Sequence, residues 1–218
     1  MKNFGVATYF SLLLCILGLA GPAQAENASF GNLPREGTSL DDFVPKGWKV
    51  DLQVSGDLNG DGVPDIAAIL IEDKPDSDQS DADEGPAHAF IVLLGADNGK
   101  FVLSGKNTKL LQCKGCGGIK EFVDIRINKG VLVVYQMSGS RWYTYTTWRF
   151  RYDPKSLRFV LIGMDSEEGD NVLNKKTIES SNYLTGLKTT QQGNKTSKAT
   201  LKGKDSSPQT PFLEDVAE

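Results

Sequence analysis

Apolar residues fall along this chain in short runs and alternations, not at helical spacing. Segments rich in Val, Ile, Thr, Phe, Tyr and Trp recur at 48–54, 65–71, 88–94, 100–103, 122–127, 131–137, 141–151 and 157–162, separated by clusters of Gly, Asn, Asp and Ser. The pattern predicts an all-β chain of antiparallel neighbours, either a meander of propeller-like blades or a compact β-sandwich. Ile66 to Ile71 and Phe90 to Leu94 are continuously apolar, which predicts strands covered on both faces. Trp142-Tyr-Thr-Tyr-Thr-Thr-Trp148 mixes rings with hydroxyls and predicts a strand with one wetter face. Turns are expected at Asn128-Lys-Gly130 and Asp153-Pro-Lys-Ser156, and a hairpin around Asn182 to Gly186.

The ends of the chain read differently. Lys2, an apolar run from Tyr9 to Leu19 and the small-x-small triplet Ala23-Gln24-Ala25 form the pattern of an export signal over 1–25, cleaved after Ala25. The run is short for a bilayer, so no membrane span is expected after cleavage, and the expected location is periplasmic or secreted. Residues 26–42 are polar, with Gly31, Pro34 and Gly37, and read as a flexible leader. A single β domain is expected over 43–204, broken by an acidic solvated loop at 72–86. Residues 205–218 read as a tail, in which Phe212 and Leu213 are the side chains able to dock.

Charge and composition narrow the chemistry. The 218 residues carry 24 Lys and Arg against 28 Asp and Glu, a formal net charge of −4, so no basic surplus exists to neutralise a phosphate backbone and nucleic acid is not an expected partner. His88 is the sole histidine, which leaves few ligands for zinc and one candidate for a His-based triad; its place between a polar loop and an apolar strand reads as structural. Cys15 belongs to the expected signal. Cys113 and Cys116, in Cys-Lys-Gly-Cys-Gly-Gly, read first as an internal disulfide of an exported protein. A thiol-disulfide redox pair and half of a zinc knuckle are the alternatives. A redox pair usually opens a helix, whereas Gly117 and Gly118 lead towards a strand.

The most specific motif is Gly56-Asp57-Leu58-Asn59-Gly60-Asp61-Gly62-Val63-Pro64-Asp65. Oxygen side chains stand at loop positions one, three, five and nine, with Gly at six. That spacing lets alternate residues turn inward around a hard cation. Asp57, Asn59, Asp61 and Asp65 are the candidate side-chain ligands for calcium, and Val63 a candidate through its carbonyl. Position twelve is Ala68 where an EF-hand places Glu, so helix-loop-helix is excluded. An Asp/Asn/Gly-rich β-turn that binds nothing is the alternative reading.

From Trp48 through Ile71 the chain resembles the FG-GAP and VCBS type of repeat, in which Gly-Asp-x-Asn-x-Asp-Gly-x-x-Asp precedes an apolar strand. The resemblance implies a calcium-binding loop joining two strands, carried by Asp57, Asn59, Asp61, Val63 and Asp65. More loosely, Gly117-Gly118 through Trp142, Arg149 to Pro154, Phe159 to Gly163 and Ser181 to Gly186 look like exported bacterial proteins containing such a repeat. The expected function is an exported calcium-binding β protein, non-enzymatic, serving as a binding or interaction module for a protein or glycan ligand. Arg141 and Trp142 are the candidate ligand-binding side chains. The alternatives are a secreted or periplasmic carboxylate-based hydrolase drawing on Glu121, Asp124, Asp165 or Glu167, and a redox protein using Cys113 and Cys116.

Overall fold

The computed structural model describes residues 30, 32–74, 85–118, 120–201 and 210–217. The expected export signal, the start of the expected leader and residues 75–84 of the acidic loop lie outside them.

The described chain forms two antiparallel sheets. The first contains β1 (Glu36–Gly37), β2 (Trp48–Gly56), β3 (Asp65–Glu72), β4 (His88–Gly95) and β5 (Phe101–Asn107), in the order β1-β5-β4-β3-β2. The second is a seven-stranded meander in reversed sequence order: β12 (Lys195–Thr200), β11 (Leu187–Gln192), β10 (Lys175–Asn182), β9 (Arg158–Asp170), β8 (Trp142–Asp153), β7 (Val131–Gly139) and β6 (Lys120–Asn128). Of the two architectures the sequence allows, the β-sandwich is the one formed. Among the described residues no helix is long and apolar enough to cross a membrane.

The apolar runs in β3 and β4 follow from a core on each side of the first sheet. Ala67, Ile69, Phe90 and Val92 face the second sheet and pack with Leu132, Val134, Trp148, Phe150, Phe159 and Leu161. The alternate residues Ala68, Leu70, Ala89, Ile91 and Leu93 face the other way. They are covered by Phe30, Leu40 and Phe43, with Leu33 and Trp48 at the margin. The expected flexible leader is therefore corrected over its described part. Its apolar residues Phe30 and Leu40 close a second core beside Phe43, the expected start of the ordered domain, which is completely buried, a burial that contributes roughly 1.5–3 kcal/mol. Asp42 holds the short 3-10 helix Leu40–Phe43 in place by accepting from the N–H groups of Thr38 at 2.6 Å and Ser39 at 3.1 Å.

The expected tail docks through Phe212 and Leu213, the two side chains the sequence offered for it. Phe212 bridges to Val160, Leu161 donates its N–H to Pro211 O at 2.8 Å, and Leu213 and Val216 join the inter-sheet core. The Asn107 amide ties this segment down by donating to Leu213 O at 2.6 Å and Val216 O at 2.7 Å. The inter-sheet core thus draws on the C-terminal end of the described chain and extends past residue 204, while the N-terminal end closes the second core.

The second sheet is wider than the first. Its core-facing side is apolar where the first sheet covers it and hydroxylic beyond. Along β7 that face runs Leu132, Val134, Gln136, Ser138; along β8 it runs Phe150, Trp148, Thr146, Thr144; along β9 it runs Leu161, Met164, Ser166, Glu168. The change of chemistry along each strand marks where the sandwich ends and an open sheet begins.

Candidate functional site

The Asp57–Asp65 loop joins β2 to β3 at a corner of the sandwich. Leu58 is buried in the inter-sheet core and anchors it. Gly60 and Gly62 both take φ of 84°, the left-handed region that lets the loop curl tightly. The half-buried Asp57 accepts from Gly60 N–H at 2.6 Å and Gly62 N–H at 3.1 Å, Asn59 Oδ1 from Asp61 N–H at 3.0 Å, and Asp61 Oδ1 from Val63 N–H at 2.7 Å. Asn59 Nδ2 also donates to Asp61 Oδ2 at 2.7 Å.

Asp65 differs from the rest. It has no exposure, and its two oxygens accept from Leu58 N–H at 2.7 Å and Gly95 N–H at 2.8 Å. Burial pushes its carboxyl above the usual range, the two N–H donors pull it back, and the negative charges of Asp61 and Asp57 push it up again. Of the five expected ligands, Asp57, Asn59, Asp61 and Val63 O offer oxygen alone, which fits a hard divalent cation, whereas the expectation for Asp65 is corrected: both its oxygens are taken by buried N–H groups, and it fixes the base of the loop. Among the described residues no group of three or more His, Cys, Asp and Glu side chains is gathered as a metal cluster.

Cys113 and Cys116 form a disulfide, with Cα atoms 5.3 Å apart, closing a turn that leads into β6. Lys114 N–H donates to Pro86 O at 2.9 Å and Gly115 N–H to Glu121 Oε2 at 2.6 Å, so the turn is held from two sides. His88 is buried with Nδ1 2.6 Å from Gln112 O, close to the same turn. The carboxylates considered for hydrolysis are each engaged by other groups. Asp124 pairs with Arg126 at 2.7 Å, Asp165 with Arg149 at 2.7 Å, and Glu167 with Lys176 at 3.2 Å and the Tyr143 hydroxyl at 3.0 Å.

Trp142 lines a cleft of about 950 Å³ on the open part of the second sheet, with Arg141 beside it. The Arg141 guanidinium lies over the Trp142 ring, 5.1 Å from its centroid, and reaches Asp170 Oδ2 at 3.1 Å. Asp170 is buried; it also accepts the Val172 and Leu173 N–H groups at 2.8 and 3.1 Å, which shapes the β9–β10 turn. The hydrogen bond from Arg141 holds its carboxyl below the usual range. Asn171 N–H donates to Arg141 O at 2.9 Å and its amide to Ser140 O at 2.7 Å, so the β7–β8 and β9–β10 turns are bound to each other at the rim. Trp142 remains 63% exposed.

The floor of this cleft is a cross-strand row that no single segment reveals. Ser138 opposes Thr144, Thr144 opposes Glu168, Glu168 opposes Thr177 and Thr177 opposes Gln192. Directly opposed residues share a sheet face. Sequence reasoning found Arg141 and Trp142 but missed Asp170, whose place at the head of Asp170-Asn-Val-Leu-Asn174 is a legible side-chain-capped turn. It also missed Glu168, which needs the register.

Fold and site together define an all-β sandwich with an oxygen-rich corner loop and an open polar cleft. The chain matches no family model, no curated protein and no solved structure.

Proposed function

We propose that this chain is an exported, non-enzymatic binding module in which the Asp57–Asp65 loop takes one calcium ion to fix a corner of the sandwich. The observation that supports this reading is the loop itself. Asp57, Asn59 and Asp61 set side-chain oxygens along one tight turn, with Val63 next in the chain to offer its carbonyl, while Asp65 fastens that turn to β4 through Gly95. Calcium bound there would offset the repulsion between Asp57 and Asp61 and hold the β2–β3 corner without any reaction taking place. The candidate acids are occupied by partners, which favours recognition over acid-base work. Export remains the reading of the first 25 residues, and the disulfide suits an oxidising compartment.

Calorimetric titration of the chelator-treated chain with calcium is the test. Heat of binding at one site and a higher melting temperature are expected, both lost in Asp57→Ala. An Asp57→Ala chain that still binds calcium with unchanged heat would place the ion elsewhere, and the absence of any heat would end the calcium assignment.

A further inference from the structure

We infer that the cleft beside Trp142 binds a neutral, linear glycan, laid across the strands of the second sheet. The inference rests on the reading of the chain as a binding module and names the ligand class of that module.

The ring of Trp142 is prepared for stacking before any ligand arrives. Asp170 holds Arg141, Arg141 covers one face of the indole, and the two rim turns are hydrogen-bonded to each other. A large exposed aromatic fixed in this way loses little conformational freedom on binding. Its other face is apolar, which suits the C–H face of a sugar ring better than a charged group.

The floor supplies the complementary polar contacts. Thr144, Glu168, Thr177 and Gln192 sit side by side on β8, β9, β10 and β11, one per strand. Adjacent strands are spaced by about 4.8 Å, so the row extends about 14 Å, with a hydroxyl, carboxylate or amide at each step. A chain of pyranose rings presents hydroxyl groups at comparable intervals, and both donors and acceptors are available to meet them. Ser138 closes the row at one end, buried beneath the disulfide turn, where Gly139 N–H donates to Gly117 O.

Other ligand classes match this surface less well. The row lies across a sheet face, where backbone groups are already paired within the sheet, so an extended peptide has no ladder to join. Two carboxylates, Glu168 and Asp170, and two lysines, Lys175 and Lys176, line the cleft, so its charges balance and favour neither an anionic nor a cationic chain. An uncharged polyol with one stacking face satisfies both the row and the ring.

The experiment is calorimetric and fluorescence titration of the full chain, in calcium-containing buffer, with cellohexaose, maltohexaose and chitohexaose up to about 10 mM, a range that captures weak millimolar binding. At least one hexasaccharide is expected to bind exothermically and to change tryptophan emission. Trp142→Ala should weaken that binding at least about tenfold, which corresponds to about 1.4 kcal/mol, and Glu168→Ala should weaken it several-fold. Phe122→Ala, on the opposite face of the sheet, should leave it unchanged. Circular dichroism checks each variant for folding, and Trp142→Phe, which keeps a ring, should recover part of the affinity. The inference is overturned if none of the three sugars binds, if binding survives Trp142→Ala intact, or if an unmodified proline-rich peptide binds at Trp142 while the sugars do not. Calcium binding is read separately. Loss of sugar binding with calcium binding intact removes this inference alone, and a calcium failure with sugar binding intact removes only the metal assignment.

Discussion

Asp65, at the start of β3, accepts the N–H of Gly95, at the end of β4, at 2.8 Å inside the protein. Its second oxygen holds Leu58 N–H at 2.7 Å, so one side chain fastens the corner loop to the first sheet. Asp65→Ala would leave two buried donors without acceptors, at about 1–3 kcal/mol each. A loss of about 3 kcal/mol is expected in urea unfolding. Asp65→Asn, which keeps one carbonyl acceptor, should lose less.

The ionisation of Asp65 gives that pair of variants a pH signature. Burial raises its folded pKa, so its contribution to stability is fully present below the unfolded value of about 4 and is lost as pH rises through the folded value. In chelator, the advantage of the native chain over Asp65→Asn should therefore be greatest in acid and should shrink towards pH 7. Unfolding midpoints at several pH values between 3 and 7 check this, and a gap that widens with pH would contradict it.

Asp170 behaves in the opposite sense. Arg141, then the backbone N–H groups of Leu173 and Val172, lower its folded pKa despite the opposing effect of burial. Its contribution is present above the unfolded value of about 4 and is lost as pH falls through the lower folded value. Arg141→Gln should flatten the acid limb of the stability curve and let Trp142 move, seen as a change in its fluorescence anisotropy. An unaltered acid limb would show that Arg141 does not set the Asp170 ionisation.

Leu213 is fully buried, and its carbonyl accepts from Asn107. Leu213→Ala removes a side chain from the inter-sheet core, a change that costs about 2–5 kcal/mol. A drop of that order in equilibrium unfolding is expected, whereas a loss under about 0.5 kcal/mol would mean the segment does not hold the core in solution.

The strands that need apolar residues were legible, and those that do not were harder to place. β3 and β4 read as doubly covered because both faces are packed, yet the cover over the outer face comes from Phe30, Leu40 and Phe43, spaced without period in a polar segment. β9 continues to Asp170 and β10 to β12 follow because backbone pairing with β8 extends the sheet past the sandwich, where no alternation is demanded. The corner loop was visible as residue types at fixed spacing. The burial of Asp65 was not, since it depends on Gly95 arriving from another strand. Arg141 and Trp142 stood out by type, but the row from Ser138 to Gln192 exists only once five strands are in register.

The disulfide offers a test of how local that turn is. Cys113 and Cys116 close a loop of four residues, for which the chain-entropy estimate is about 2 kcal/mol. Cys113→Ser with Cys116→Ser should cost that much or less, because Pro86 and Glu121 also hold the turn. A much larger loss would show that the bridge organises β6 and the adjoining sheet edge.

Gly62 separates the backbone demands of the corner loop from its chemistry. Its φ of 84° is disfavoured for any residue with a Cβ, yet a Cβ there would meet no atom within 4 Å. The whole cost of Gly62→Ala is therefore conformational, about 1–2 kcal/mol, or roughly 2–4 °C in melting temperature per kcal/mol for a chain of this size. Gly62→Asn should cost less, since Asn enters the left-handed region more readily. Melting of both variants in chelator measures the backbone cost alone. Repeating it in calcium shows whether the bent loop is also the metal-binding one: Gly62→Ala should then show a smaller calcium-induced rise than the native chain. Equal rises in both chains would show that the turn at Gly62 and the binding of calcium are independent.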